Sequence, residues 1–296
     1  TKYGVVRLDA TDVNTLLGQN HRDGVDSSSG AFFTASSNGV LQVEGEVNAA
    51  FGDFDGDSGT NGFNLASNGI LEVTTLNVEN ANKPAAGASY QEDAAYITSS
   101  PSIEFEGKVR ADDVLLNDLQ LTVKSGGTTS YASQVKVGSG TLEVAKSLSS
   151  VNDTVVFGNA SGAAHLVLTS DVVGDEGTVD VNTLRVDSGS IWVKNGEWTA
   201  QNITLSGAGT NLTVGGDTWD DLNGNDTEAS LTFNHLTMGQ GSTFEVEADG
   251  TATVNTADFS GLNTAGAVSV AGVLTINGAN VSGDATNGVH FSTTEG

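Results

Sequence analysis

Apolar and polar residues alternate along almost the whole chain, in short bursts rather than long stretches. Val40-Leu41-Gln42-Val43, Ile70-Leu71-Glu72-Val73, Leu142-Glu143-Val144, Ile191-Trp192-Val193, Leu212-Thr213-Val214 and Leu274-Thr275-Ile276 all have this form. The bursts are rich in β-branched residues and are bounded by Gly, Asn, Asp or Ser. A period of two with those boundaries predicts strands. The segment Asp12 to Leu17 carries the one helical signal, enough for about a turn.

The bursts also recur. Many follow a glycine by two or three residues, so glycine serves as a marker. Gly189 and Gly209 stand 20 residues apart, and Gly250 and Gly272 stand 22 apart. Gly39 to Gly69 is 30, and Gly209 to Gly241 is 32. The first of these longer gaps holds the ten polar residues 52–61, the second the twelve residues 217–228; without them both gaps fall to 20. An all-β unit of that size cannot bury its own apolar face. Stacking such units into a parallel β-helix, a solenoid of about 20 residues per coil, lets each coil cover its neighbours. Glycine and asparagine then turn the corners. Proline, which removes a ladder donor, becomes scarce. The competing architecture is a string of sandwich domains, which usually carry aromatic anchors and strands every 8–12 residues.

The expected organisation is therefore a single elongated unit over residues 1–296, with insertions near 52–61, 83–101 and 217–228. The middle insertion holds both prolines of the chain, Pro84 and Pro101. Strand patterning resumes at Ile103, so it reads as an excursion from the stack.

Charge narrows the partners. With 37 acidic against 11 basic side chains, the 296 residues carry a net charge of −26. That field repels nucleic acid and anionic membrane surfaces. No apolar run approaches the ~20 residues of a membrane-spanning helix, so direct membrane insertion is not expected. Cysteine is absent, which removes disulfides, thiolate nucleophiles and sulfur-based zinc sites. The chain starts at Thr1 without a charged-then-apolar leader, and reads as a mature or excised piece of something longer.

Two acidic loops hold the most specific local signal. Asp53-Phe54-Asp55-Gly56-Asp57 and Asp221-Leu222-Asn223-Gly224-Asn225 both match the first half of an EF-hand-type calcium loop, with oxygen ligands at positions 1, 3 and 5 and a glycine for the bend. The bidentate glutamate of the second half is missing. Asn61 in the first loop, and Asp226 and Glu228 in the second, are the candidate replacements, and Ca²⁺ is the candidate ion. The plainer reading is that Asp, Asn and Gly simply turn well.

Catalytic signals are thin. His21, His165, His235 and His290 share no ligand spacing, and no nucleophile elbow or zinc motif occurs. Adjacent carboxylates such as Asp112-Asp113 should point to opposite faces of a strand. The basic residues a lyase would use, Lys108, Arg110, Lys136 and Arg185, are scattered. Trp192 faces away from Ile191 and Val193, and with Trp198 it offers a candidate stacking surface for sugar rings, against the alternative that both pack.

The segments Gly189–Val214 and Gly266–Ser282 resemble the passenger domains of bacterial autotransporter adhesins of the AIDA type, over about residues 130–290 and more loosely before. The resemblance implies a right-handed parallel β-helix exported to the bacterial cell surface. It also implies a non-catalytic role in self-association, aggregation or attachment to host and matrix glycans and proteins. Two further classes stay open. A carbohydrate-active β-helix of lyase or tail-spike kind would need three or more carboxylates converging in one groove beside a Lys or Arg. A structural spacer of a surface fibre would need neither groove nor liganded loop.

Overall fold

In the computed structural model the described residues are 4–23, 33–35, 38–54, 62–65, 69–79, 102–118, 122–124, 128–130, 133–170, 176–216, 228–262, 267–280 and 291–293. The fold is all-β with one α-helix, Ala10–Asp23, and one 3₁₀ turn, Phe51–Phe54. Eighteen strands join in a single sheet, and every pairing within it is parallel, from Val5–Asp9 on Val40–Ala50 to Val268–Val270 on Phe291–Thr293. Parallel pairing throughout does not fit the antiparallel hairpins of sandwich domains. An antiparallel pair does occur between Thr122–Lys124 and Thr128–Ser130, outside the main sheet.

Register carries the architecture. Leu41 pairs with Leu71, then the row continues through Val109, Leu142, Leu166, Ile191, Leu212, Phe244 and Val268, one residue per strand. All nine side chains are at most 5% exposed. A second row two residues on runs Val43, Val73, Ala111, Val144, Leu168, Val193, Val214 and Val246. Because strand side chains alternate in direction, both rows face inward and the residues between them face out. A second run of strands sends Val47, Leu76, Val114, Leu148 and Val179 inward. A third sends in Val135, Val155, Leu184, Ile203, Leu236 and Ala257. The three sets belong to one cluster of buried side chains that extends from Val13 to Val268. Each such Leu, Ile, Val or Phe contributes about 1.5–3 kcal/mol by leaving water.

Three of the four glycine spacings match the register, while Gly189 pairs with Thr210, 21 residues on instead of 20. Val40 pairs with Ile70, 30 residues on, and Thr251 with Val273, 22 on. Elsewhere the step varies, from Thr183 opposite Asn202 to Ile70 opposite Lys108, so a uniform 20 holds only for part of the stack. Gly189 shows why glycine marks the strand starts. Its φ is +115°, and a Cβ there would run into the Ala164 carbonyl oxygen of the next strand.

The helix is longer than the single turn expected. Asp9, the last residue of its strand, caps it by accepting from Thr11 N at 2.8 Å, which also holds the Asp9 carboxyl below the ordinary carboxylate value. Val13 and Leu17, four apart on one face, are buried at 1% and 0% exposure. Asn14 then stands in for a missing strand: its Nδ2 donates to Glu46 O at 2.8 Å and its Oδ1 accepts from Asn48 N at 2.9 Å. Two outer backbone groups of the half-strand beyond Gly45 are thereby satisfied. The sequence signal was weak because, among the described side chains of the helix, Val13 and Leu17 are the two that are fully buried.

Truncating one inward rung tests the register. Leu212→Ala should cost about 2–5 kcal/mol in chemical unfolding, as for other buried leucines. Thr213→Ala, one residue on and facing out, should stay within about 0.5 kcal/mol. Equal losses would place Leu212 outside the core.

Candidate functional site

The outward residues between the two inward rows form a row of their own. From strand to strand it reads Arg7, Gln42, Glu72, Arg110, Glu143, Val167, Trp192, Thr213 and Glu245. Five of these, Gln42, Glu72, Glu143, Trp192 and Thr213, are central residues of the bursts visible in the sequence, now brought onto one face. A groove of about 510 Å³ follows the first five strands of this row. Its second wall comes from the next outward positions, including Glu44, Thr74, Asp112, Ala145 and Thr169.

Inside the groove the charges are partly matched. Arg7 Nε donates to Gln42 Oε1 at 3.0 Å. Lys108 Nζ donates to Glu143 Oε2 at 3.0 Å, and Arg110 Nε lies 3.2 Å from Glu143 Oε1. Glu143 is therefore straddled by two cations that the sequence suggested were scattered; its side chain is 19% exposed. Lys146 Nζ meets Asp112 Oδ2 at 2.9 Å. Glu44 and Glu72 have no ion-pair partner among the described residues. Four carboxylates and two guanidinium groups thus line one cleft.

Asp112 and Asp113 do not point to opposite faces as expected. The register shifts between Ala111 and Asp113, so the chain bends there and both side chains lie outside. Asp113 accepts from Ser147 Oγ at 2.6 Å. Of the other two basic candidates, Lys136 and Arg185 lie on either side of Val156 in the third run of strands, away from the groove.

The two tryptophans separate. Trp192 is half-buried, its Nε1 donates to Gly215 O at 2.8 Å, and Lys194 Nζ lies 5.9 Å from its ring centroid. It stands two strands beyond Glu143 in the outward row. Trp198 is 1% exposed, packs against Gly177, and donates from Nε1 to Asn195 O at 3.0 Å. A ring so enclosed packs, and offers no surface to a sugar. Its neighbours held the signal: Glu197-Trp198-Thr199-Ala200 alternates with the tryptophan on the apolar side.

Of the calcium candidates, Asp55, Asp57, Asn61, Asp221, Asn223, Asn225 and Asp226 lie outside the described residues, as does the excursion 83–101. Asp53 is 1% exposed in the turn Phe51–Phe54, where Phe54 stacks on Phe63 at 5.6 Å. Glu228 is exposed, and its backbone oxygen accepts from Gly196 N at 3.1 Å. Among the described residues no three His, Cys, Asp or Glu are placed to hold a metal ion. His165 Nδ1 contacts Ser190 Oγ at 2.9 Å and His235 Nδ1 contacts Thr256 Oγ1 at 2.7 Å.

A third feature is a file of amides at a bend of the stack. Asn234 Nδ2 donates to Gln201 Oε1 at 2.6 Å, Asn255 Nδ2 to Asn234 Oδ1 at 2.9 Å, and Asn277 Nδ2 to Asn255 Oδ1 at 3.0 Å. All four are exposed and neutral. Compared with known proteins, the chain matches no family model, no curated protein and no solved structure.

The far end of the outward row is electrostatically loaded. Burial, then the neighbouring Glu245 and Asp249 carboxylates, push the Glu247 carboxyl above its ordinary value of 4.5. The folded chain then keeps a proton that the unfolded chain has lost, so stability falls as pH rises from about that value through the raised one. Glu247→Gln should raise the melting temperature at neutral pH, with the gain disappearing near pH 4. A gain independent of pH would assign the effect to something other than this charge.

Proposed function

We propose that this chain is a segment of a non-catalytic bacterial cell-surface adhesin. In this reading the sheet winds as a right-handed parallel β-helix of the AIDA-type passenger kind, displayed outside the cell. What supports the winding is three runs of parallel strands sending their side chains into one core. What carries the function is the outward row, where a polar file lies in register along a groove. The apolar rows supply a stiff support, and the outer files supply repeated polar contacts to matrix glycans, proteins or a second copy.

Self-association has to overcome charge. Two chains at −26 repel strongly while the Debye length is ~30 Å at 0.01 M salt, and much less when it is ~8 Å at 0.15 M. The neutral file Gln201, Asn234, Asn255 and Asn277 is the surface where two copies meet without opposing charges. Calcium bound by the acidic loops 52–61 and 217–228 is the other means of bridging.

A second reading, a carbohydrate-active β-helix, draws on the convergence of Glu44, Glu72, Asp112 and Glu143 with Arg7 and Arg110. Against it, Glu143 and Asp112 are committed to ion pairs with Lys108, Arg110 and Lys146. A glycosidase or lyase needs such groups free to exchange protons with the substrate.

Beads coated with the chain should stay dispersed at 0.01 M salt and aggregate near 0.15 M. Asn234→Asp with Asn255→Asp should abolish that aggregation, since each change sets a charge in the neutral file. Adding millimolar Ca²⁺ against Mg²⁺ and EDTA separates the bridging route. Aggregation indifferent to salt, calcium and the double substitution would remove self-association from this reading. Release of reducing or unsaturated ends from polysaccharides would establish the enzymatic one.

A further inference from the structure

Resting on the reading that the outer face binds matrix glycans, we infer that the groove takes a cationic amino-sugar polysaccharide: an extended hexosamine polymer with free amino groups, lying across the strands. The groove crosses five successive strands at about 4.8 Å each. Its side chains therefore recur at intervals close to one pyranose unit, and a regular polymer can repeat its contacts along the row.

Charge selects the polymer. Glu44 and Glu72, on neighbouring strands, lack ion-pair partners among the described residues and face the same cleft. Glu72 in the row and Glu44 on the second wall are the acceptors for ammonium groups of a sugar chain lying between them, as charge-assisted hydrogen bonds. Arg7 and Arg110, the first and fourth rungs of the outward row, are donors for ring hydroxyls and carbonyl oxygens. The net charge of −26 draws a polycation in and repels a polyuronate. Beyond Glu143 and the covered Val167, Trp192 presents the same row with an aromatic surface. Lys194 Nζ at 5.9 Å from its centroid shows the ring accepting an ammonium. A cationic peptide would match the charge, but not the even rung spacing or the ring platform.

The test measures binding of the full chain to glucosamine hexamer, N-acetylglucosamine hexamer, galacturonate hexamer and poly-lysine of matched charge, at one ionic strength. Glucosamine hexamer should bind tightest. Glu44→Gln and Glu72→Gln should each weaken it about tenfold, the loss of one charge-assisted hydrogen bond. Trp192→Phe should retain binding and Trp192→Ala should lose it. All are outward positions, and unchanged melting curves verify folding. Equal or tighter binding of the acetylated or uronate hexamer would overturn the amino-sugar assignment while leaving glycan attachment intact. Poly-lysine binding as tightly, with Trp192→Ala and Glu72→Gln indifferent, would reduce the effect to attraction of any polycation. Binding to none of the sugars would overturn both this inference and the groove's part in attachment.

Discussion

In-register parallel hydrogen bonding is the constraint on which everything else in this molecule rests. Once a strand pairs with the next at fixed register, each residue has a fixed neighbour above and below it. Columns, rather than residues, become the units that must satisfy burial and charge. An inward column tolerates no polar rung, since an unpaired group there would lose water without gaining a partner. The column from Leu41 to Val268 is apolar at all nine positions. An outward column faces the opposite problem, because like charges directly opposite one another repel. In a chain at −26 the stacking of carboxylates has to be interrupted. The outward row does so with neutral or basic rungs: Gln42 before Glu72, then Arg110, then Glu143. The file Gln201, Asn234, Asn255 and Asn277 does so with amides, the inner two each donating to one neighbour and accepting from the next. Along one chain segment, burial first and then the Glu245 and Asp249 carboxylates push the Glu247 carboxyl toward holding its proton.

That constraint also decides what can be read from the sequence. Alternation identifies strands and their inward residues, because period two is a local property. Leu71, Glu72 and Val73, or Leu142, Glu143 and Val144, show which side each residue takes before any pairing is known. Register is not local. The step between paired strands stretches where segments are inserted, and nothing in the residues near Arg7 says that it will stand beside Gln42, 35 places on. The groove is assembled across such stretched steps, which is why Lys108 and Arg110 looked isolated from Glu143. The bend at Ala111–Asp113 was hidden for a related reason: a register shift breaks the alternation used to assign faces. The helix Ala10–Asp23 owes its stability to tertiary packing by Val13 and Leu17 and to the Asn14 contacts with a strand edge. Such support does not show in local periodicity. Trp198 is the opposite case, since Glu197 and Thr199 on either side already turned it inward.

The groove combines two demands that pull against each other. A cleft lined by four carboxylates in a strongly acidic protein raises the cost of every added charge. Pairing Glu143 with Lys108 and Arg110, and Asp112 with Lys146, relieves that cost and fixes the walls. These pairs are part-exposed, so each stabilises the fold by no more than about 1 kcal/mol. Their larger effect is on shape, because they hold long side chains in one conformation along the cleft. Among the described residues, pairing leaves Glu44 and Glu72 as the carboxylates presented to the cleft. In the adhesin reading proposed above, a site arranged in this way holds a ligand by complementarity, with Glu143 and Asp112 kept in ion pairs.

The two outer features occupy different parts of the stack. The groove is built on strands before Thr169, and the amide file on strands after Gly196. The column rule makes this separation natural. A mixed-charge column suits a charged ligand and resists a second copy of itself in most registers, because shifting by one rung sets like charges together. A neutral amide column has no such register penalty, since every rung offers both a donor and an acceptor to whatever meets it. Attachment to a charged polymer and association between copies therefore call for different columns. A stack of parallel strands can carry both, with the same apolar interior beneath them, by changing only the outward residues.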